Sequence, residues 1–181
     1  MIIAVDVDEV CAELMNVWLS KYNKDYNDNL NKSIIKEWGI NEYVKPECGD
    51  KIFDYIEDGS IYDSVEPVYN SLWGVNELKN MGFRVIYATM CPLLSSGIKF
   101  NWLKNHKFID KEDDYIEARD KSLIYSDFLI DDNIKNISSF RNKGYIYTQP
   151  WNKNYNTIYR MNNWIEIIYI FNIIRKTETN L

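Results

Sequence analysis

The sequence predicts an α/β fold: a three-layer core on a mostly parallel sheet, with a small helical cap inserted after the first strand. Three observations predict it. The chain opens on Ile2-Ile3-Ala4-Val5, an apolar run that reads as a strand buried on both faces, as parallel strands are. From Leu72 onward strands and helices alternate, which implies right-handed crossovers and a sheet covered on both sides. Between these stretches, from Asn23 to about Asp63, the sequence turns polar, Asn-rich and aromatic, without a convincing strand. Residues 14–66 therefore read as the cap, and residues 1–13 with 67–181 as the core.

The elements follow in order. After the opening strand, Ala12 to Tyr22 reads as a helix, with Leu14, Met15, Trp18 and Leu19 on one stripe. Short helical pieces fit Ser33 to Trp38 and Lys51 to Glu57, separated by Gly39, Pro46, Gly49 and Gly59. Leu72 to Met81 is a helix stopped by Gly82, and Phe83 to Ala88 a strand running into Thr89-Met90. Ser95 or Ser96 is expected to cap a helix through His106 that buries Ile98, Trp102 and Leu103. Tyr115 to Ala118 is a short strand, and Leu123 to Ile130 ends as a strand delivering Asp131 and Asp132. Ile134 to Asn142 is a helix and Tyr145 to Thr148 a strand. A long last helix follows Pro150-Trp151-Asn152, with Ile158, Met161, Ile165 and Ile168 as its packing stripe.

Bulk properties narrow the function. At 181 residues the chain fits one domain, or a core with a modest insertion. A hydrophobic fraction of 46% and an aromatic fraction of 15% exclude a disordered chain. The net charge of −6 argues against a polynucleotide-backbone binder, but not against a small anionic substrate, because one Mg²⁺ can reverse the local field. Cys11, Cys48 and Cys91 are odd in number and scattered, the usage of a reduced cytosolic protein, and no export signal is visible. No apolar run reaches the ~20 residues of a membrane span. A cytoplasmic protein without membrane partners is expected, its oligomeric state open.

The chemistry begins where the first strand ends. Asp6 and Asp8 sit at i and i+2, at the carboxyl edge where open α/β sheets bind ligands. Two such acids repel and raise each other's pKa unless a cation or shared proton offsets them. Thr89, Lys121 and Asp131-Asp132 fall at the same edge. Together they compose a phosphoryl-transfer site. Asp6 is the expected nucleophile and Asp8 the acid that protonates the leaving alkoxide and later activates water. Mg²⁺ is expected on Asp6, the Asp8 carbonyl, Asp131 and waters, with Thr89 and Lys121 on the phosphoryl oxygens. Each residue alone has a plainer reading: a helix N-cap for the acids, a strand end for Thr89, a solvated side chain for Lys121. Their order, each at or beside a strand end, favours the site.

The order DVDEV, VIYAT, RDKS and FLIDDN resembles the four motifs of the haloacid dehalogenase superfamily of phosphatases. Within it, the stretches from Val65 to Pro92, Ala118 to Asn133 and Tyr145 to Asn152 look like the 5′(3′)-deoxyribonucleotidases, bacterial and phage members included. The resemblance spans roughly 2–20 and 65–152. It implies a Rossmann-like core with a small helical cap, Asp132 reaching the metal through water or from behind, and a nucleoside monophosphate, most often a deoxyribonucleotide, as substrate. It also implies cap aromatics stacking on the base, for which Trp38, Phe53 and Tyr55 are candidates; burial in the cap's own core is their plainer reading. Two departures stand out. Glu9 occupies a position that is Gly in much of the superfamily, and Met90 one where relatives carry a small hydroxyl residue, leaving Met90 only its backbone for phosphate.

Other chemistries fail. No cysteine is followed six positions later by Arg, no Gly-rich nucleotide loop exists, and one histidine, His106, cannot build a triad or a zinc site. A receiver domain also gathers acids, a hydroxyl and a Lys around Mg²⁺, but it has no insertion after its first acidic strand. A phosphatase of another small metabolite, or a binding protein that has lost turnover, remain the alternatives.

Overall fold

The computed structural model describes residues 1–57 and 59–178, so the last three residues assigned above to the core lie outside it. The sheet has six strands: β1 (Ile2–Val5), β2 (Arg84–Thr89), β3 (Tyr115–Glu117), β4 (Phe128–Asp131), β5 (Lys143–Tyr147) and β6 (Arg160–Met161). Their order is β3-β2-β1-β4-β5-β6, and every pairing is parallel. The α-helices are α1 (Leu14–Tyr26), α2 (Asp54–Glu57), α3 (Ser71–Asn80), α4 (Ile98–Asn105), α5 (Ile134–Ser139) and α6 (Trp164–Glu178). This is the three-layer, Rossmann-like arrangement that the sequence predicts.

Period-two alternation divides the strand residues between the two faces. Ile3, Val5, Val85, Tyr87, Phe128 and Ile130 join the large core that also takes in α3, α4 and α6. Ala4, Ile86, Ala88 and Leu129 face the other way, against Ile124, Ile137 and Phe140. Both faces are apolar because both are covered, hence the unbroken IIAV and FLI runs.

The strand order reverses between β1 and β4, the switch point where such sheets open a crevice. Val5 lies opposite Tyr87 on one side and Ile130 on the other, and Asp6 N donates to Ile130 O at 2.9 Å. That register delivers Asp6 beside Asp131 at the mouth of the crevice.

Residues 14–66 leave and rejoin the core at one place. Glu13 N donates to Glu66 O at 2.9 Å and Val68 N to Cys11 O at 2.7 Å. Among the described residues of this excursion there is no strand: α1, α2 and 3-10 turns build it. Trp18, Tyr22, Ile35, Ile52 and Ile61 bury themselves in the same continuous apolar cluster as the sheet.

Three expectations need correction. The strand foreseen over Leu123 to Ile130 begins only at Phe128; Lys121–Leu123 is a 3-10 turn capped by Asp120, which accepts from Ser122 N at 3.0 Å. Neither Ser95 nor Ser96 caps α4: Gly97 at φ 80° precedes it, and Glu117 takes both Gly97 N and Ser96 Oγ at 2.7 Å. The last helix starts at Trp164, with Asn163 accepting from Glu166 N at 2.9 Å, so Ile158 and Met161 precede it. Ile158 is exposed and Met161 belongs to β6, while the buried face of α6 is Trp164, Ile167 and Phe171. The two Asn residues break the apolar run that made the helix look longer. No helix among the described residues is long and apolar enough to cross a membrane.

Candidate active site

Three carboxylates and one ammonium meet at the switch point. Lys121 Nζ lies 2.8 Å from Asp6 Oδ1 and 2.6 Å from Asp131 Oδ2. Asp6 Oδ1 also accepts from Val7 N at 2.8 Å, and Asp131 from Asn133 N at 2.8 Å and Asn136 Nδ2 at 3.0 Å. Asp132 accepts from Trp151 Nε1 at 2.8 Å. Arg160 braces that tryptophan's loop, donating to Asn152 O at 2.9 Å and Tyr155 O at 2.6 Å, which gives the short strand β6 its place in the site.

The charges do not balance. Burial pushes the Asp6 carboxyl up to about 7, with Lys121 opposing and Asp131 and Asp8 adding to the rise. Burial, then Asp131 and Asp6, push Asp132 well above the usual range. Burial pulls Lys121 down, but Asp131 and Asp6 outweigh it and hold the ammonium charged. Oxygens of Asp6, Asp131 and Asp132 lie within 4.8 Å of one another, all three residues being buried. A hard divalent cation suits this donor set and supplies the positive charge the cluster lacks.

Asp8 is held from two sides. Lys99 Nζ donates to Asp8 Oδ2 at 2.5 Å, to Met90 O at 2.5 Å and to Thr89 Oγ1 at 3.1 Å. Tyr62, from the excursion, donates its hydroxyl to Asp8 Oδ1. Sequence reasoning passed over both residues. A signal for Lys99 was present: it stands three and four positions before Trp102 and Leu103, a lysine in an apolar stripe. Burial pulls it down, yet Asp8 and Cys91 hold its pKa above the ordinary value. Nothing in the pattern singles out Tyr62.

Glu9 now has an account. It sits at φ 61°, a left-handed conformation that costs a non-glycine residue about 1–2 kcal/mol. Its side chain offsets the strain. Glu9 Oε1 accepts from Met15 N at 2.5 Å, capping α1 from outside, while Oε2 pairs with the Lys32 ammonium. Burial pushes this carboxyl up to about 7 against the pull of Lys32. The Glu9 carbonyl takes Gln149 Nε2 at 2.6 Å, tying the turn to the loop after β5.

Part of this set opens on one cavity of about 1100 Å³. Asp6, Asp8, Thr89, Met90, Lys121 and Asp132 line it, with Trp38 and Trp151 on the wall. Asp132 reaches the cavity wall, whereas Asp131 is fully buried against Lys121. Trp38 is 63% exposed and meets Trp151 edge-on at 5.6 Å. Neither Phe53 nor Tyr55 lines this cavity, although Phe53 shares a neighbouring recess with Trp38 and Trp151. Phe53 leans on Trp18 at 6.0 Å beside a small apolar recess, and Tyr55 donates to Asp25 at 2.6 Å in a separate groove. The aromatic content of the segment did not reveal which ring faces the acids.

Acids, a strand-end hydroxyl and a buried lysine at the switch point of this sheet define a phosphohydrolase of the haloacid dehalogenase superfamily. In fold the chain is similar to the haloacid dehalogenase-like hydrolase of Streptococcus pneumoniae, with a TM-score of 0.59 at 11% identity over 93% of this chain and 97% of that one. The 5′(3′)-deoxyribonucleotidase of Clostridium acetobutylicum is 30% identical, over 91% of each chain. That of Bacillus subtilis is 27% identical, over 92% of this chain and 95% of its own. The family model described as 5′ nucleotidase, deoxy (pyrimidine), cytosolic type C protein matches residues 1–177, and the chain belongs to that family.

Proposed function

We propose that the protein hydrolyses nucleoside monophosphates, deoxyribonucleotides before others, through a phosphorylated Asp6, with residues 14–66 as a cap over a core of 1–13 and 67–181. One observation carries the reading: Asp6, Asp8, Thr89, Lys121 and Asp132 line a single cavity walled by two tryptophans. Asp6 attacks phosphorus, and Lys121 and Asp131 fix its orientation. The Thr89 hydroxyl, the Met90 backbone and Lys121 hold the phosphoryl oxygens as charge redistributes. Asp8 gives a proton to the leaving alkoxide and later takes one from the water that attacks the phosphoaspartate. Asp6, Asp131 and Asp132, with the Asp8 carbonyl, would hold Mg²⁺, and Asp131 also pairs with Lys121. When bound, Mg²⁺ neutralises the phosphate and the carboxylates facing it. Trp38 offers a face to the base.

The experiment is phosphate release from dUMP, dTMP, ribonucleotides and sugar phosphates, with and without Mg²⁺. Deoxyribonucleotides are expected to turn over fastest and Asp6→Asn to abolish release. Equal turnover of sugar phosphates would remove the nucleotide claim while leaving the phosphatase. Three free, buried cysteines support a cytosolic setting.

A further inference from the structure

Lys99 is a buried cation that the scheme above leaves without a task. It projects from α4 and is 4% exposed. An ammonium has three donors and no acceptor. Here each has a target: Asp8 Oδ2 at 2.5 Å, Met90 O at 2.5 Å and Thr89 Oγ1 at 3.1 Å. No donor is left for a phosphoryl oxygen, so Lys99 acts through its neighbours rather than on substrate. We propose that Lys99 is a positioning residue for the hydrolysis: it fixes the Asp8 carboxyl in the line of the leaving group and anchors it to the phosphate-binding end of β2.

The geometry gives each contact a consequence. Asp8 is held at Oδ2 by the core through Lys99 and at Oδ1 by the excursion through Tyr62, so its carboxyl cannot turn away from the cavity without losing a charge-assisted bond. Thr89 accepts from Lys99, which leaves its own O–H to give to a phosphoryl oxygen. The Met90 carbonyl is pinned by the same ammonium, which orders the backbone next to Thr89. Acid and phosphate donors thereby keep one spacing. Lys99 adjoins Tyr62 as well, its ammonium 5.8 Å from the ring centre.

This inference rests on Asp8 as the proton donor, and the test separates the two. A nucleotide's alkoxide leaves with the proton of Asp8 as the P–O bond breaks; p-nitrophenolate leaves without one. The measurement is kcat/KM of Lys99→Met on dUMP and on p-nitrophenyl phosphate, in the wild-type and the Asp8→Asn backgrounds. On dUMP the loss is expected to be about 10²-fold or more, the range of general-acid catalysis. On p-nitrophenyl phosphate it is expected to be much smaller, limited to the share that acts through Thr89. In the Asp8→Asn background the contrast between the esters is expected to vanish. Equal losses on both esters, or a contrast that persists without Asp8, overturn the role of Lys99 and leave the hydrolase reading intact. A wild-type protein that releases phosphate from neither ester overturns both. If Lys99→Met does not fold, Lys99→Gln keeps a donor without the charge, on a side chain one atom shorter, and carries the same contrast.

Discussion

Glu9 and Lys32 form an ion pair that clasps the turn after the first strand to the excursion above it. The Glu9 side chain is 3% exposed and that of Lys32 17%. The Lys32 ammonium also lies 5.7 Å from the ring centre of Trp151, which in turn holds Asp132. One lysine of the excursion thus reaches both the Glu9 turn and the Trp151 loop.

Removing Lys32 leaves a buried carboxylate without its cation. Lys32→Met is expected to cost about 1–3 kcal/mol of stability, less than the ~3–5 kcal/mol of a fully buried pair because water reaches part of Lys32. The midpoint of a urea titration reads this directly. No change in midpoint would mean that Glu9 is neutral in the fold and that the pair contributes nothing.

The acid cluster predicts how the protein answers metal. Asp6, Asp131 and Asp132 are buried within 4.8 Å of one another, facing one lysine. A cation bound only by the folded state raises stability by about 2.7 kcal/mol at a hundred times its dissociation constant. Mg²⁺ is therefore expected to raise Tm, EDTA to reverse the rise, and Asp132→Asn to abolish it. A Tm indifferent to Mg²⁺ in the wild type would sink the metal assignment independently of any activity measurement.

Much of this site was legible because acids at the ends of apolar strands are conspicuous. Asp6 and Asp131 directly follow apolar runs that read as buried strands, Asp8 stands two positions beyond Asp6, and Lys121 stands within ten positions of Asp131. The order of strands was less legible, since β3 and β6 are two or three residues long. Tyr62 and Lys99 reach Asp8 from elements 54 and 91 positions away; the apolar stripe around Lys99 marked it as buried, but its partner, like the whole of Tyr62's role, is a relationship of space and not of pattern. The start of α6 was misread for a local reason: Ile158 and Met161 continue the apolar content, and only Asn162-Asn163 marks the helix start.

Two of the three aromatic candidates separate in a kinetic test. Trp38 stands on the wall of the catalytic cavity, whereas Tyr55 is tied to Asp25 in another groove. Base stacking is worth about 1–3 kcal/mol. Trp38→Ala is expected to raise KM for dUMP by the corresponding factor with little change in kcat, the mark of binding lost equally from ground and transition states. Tyr55→Phe is expected to leave KM unaltered. A reversed ranking of the two would place the base elsewhere.

The fold makes its own prediction at Gly74. A Cβ there would lie 2.3 Å from Trp164 Cε3, and the tryptophan has little room to yield. Trp164 is fully buried and donates its indole N–H to Val10 O at 2.9 Å, in the turn that follows Asp8. In a helix Ala ordinarily stabilises relative to Gly by about 1 kcal/mol. Here the clash must displace α6 from α3 or the indole from Val10, and overpacking of this kind costs about 1–3 kcal/mol. Gly74→Ala is therefore expected to lower the urea midpoint despite the better helix former. Because the indole supports the turn carrying Asp8, kcat is expected to fall with it. A Gly74→Ala protein more stable than wild type would show that the α3–α6 contact is loose enough to accept a methyl group.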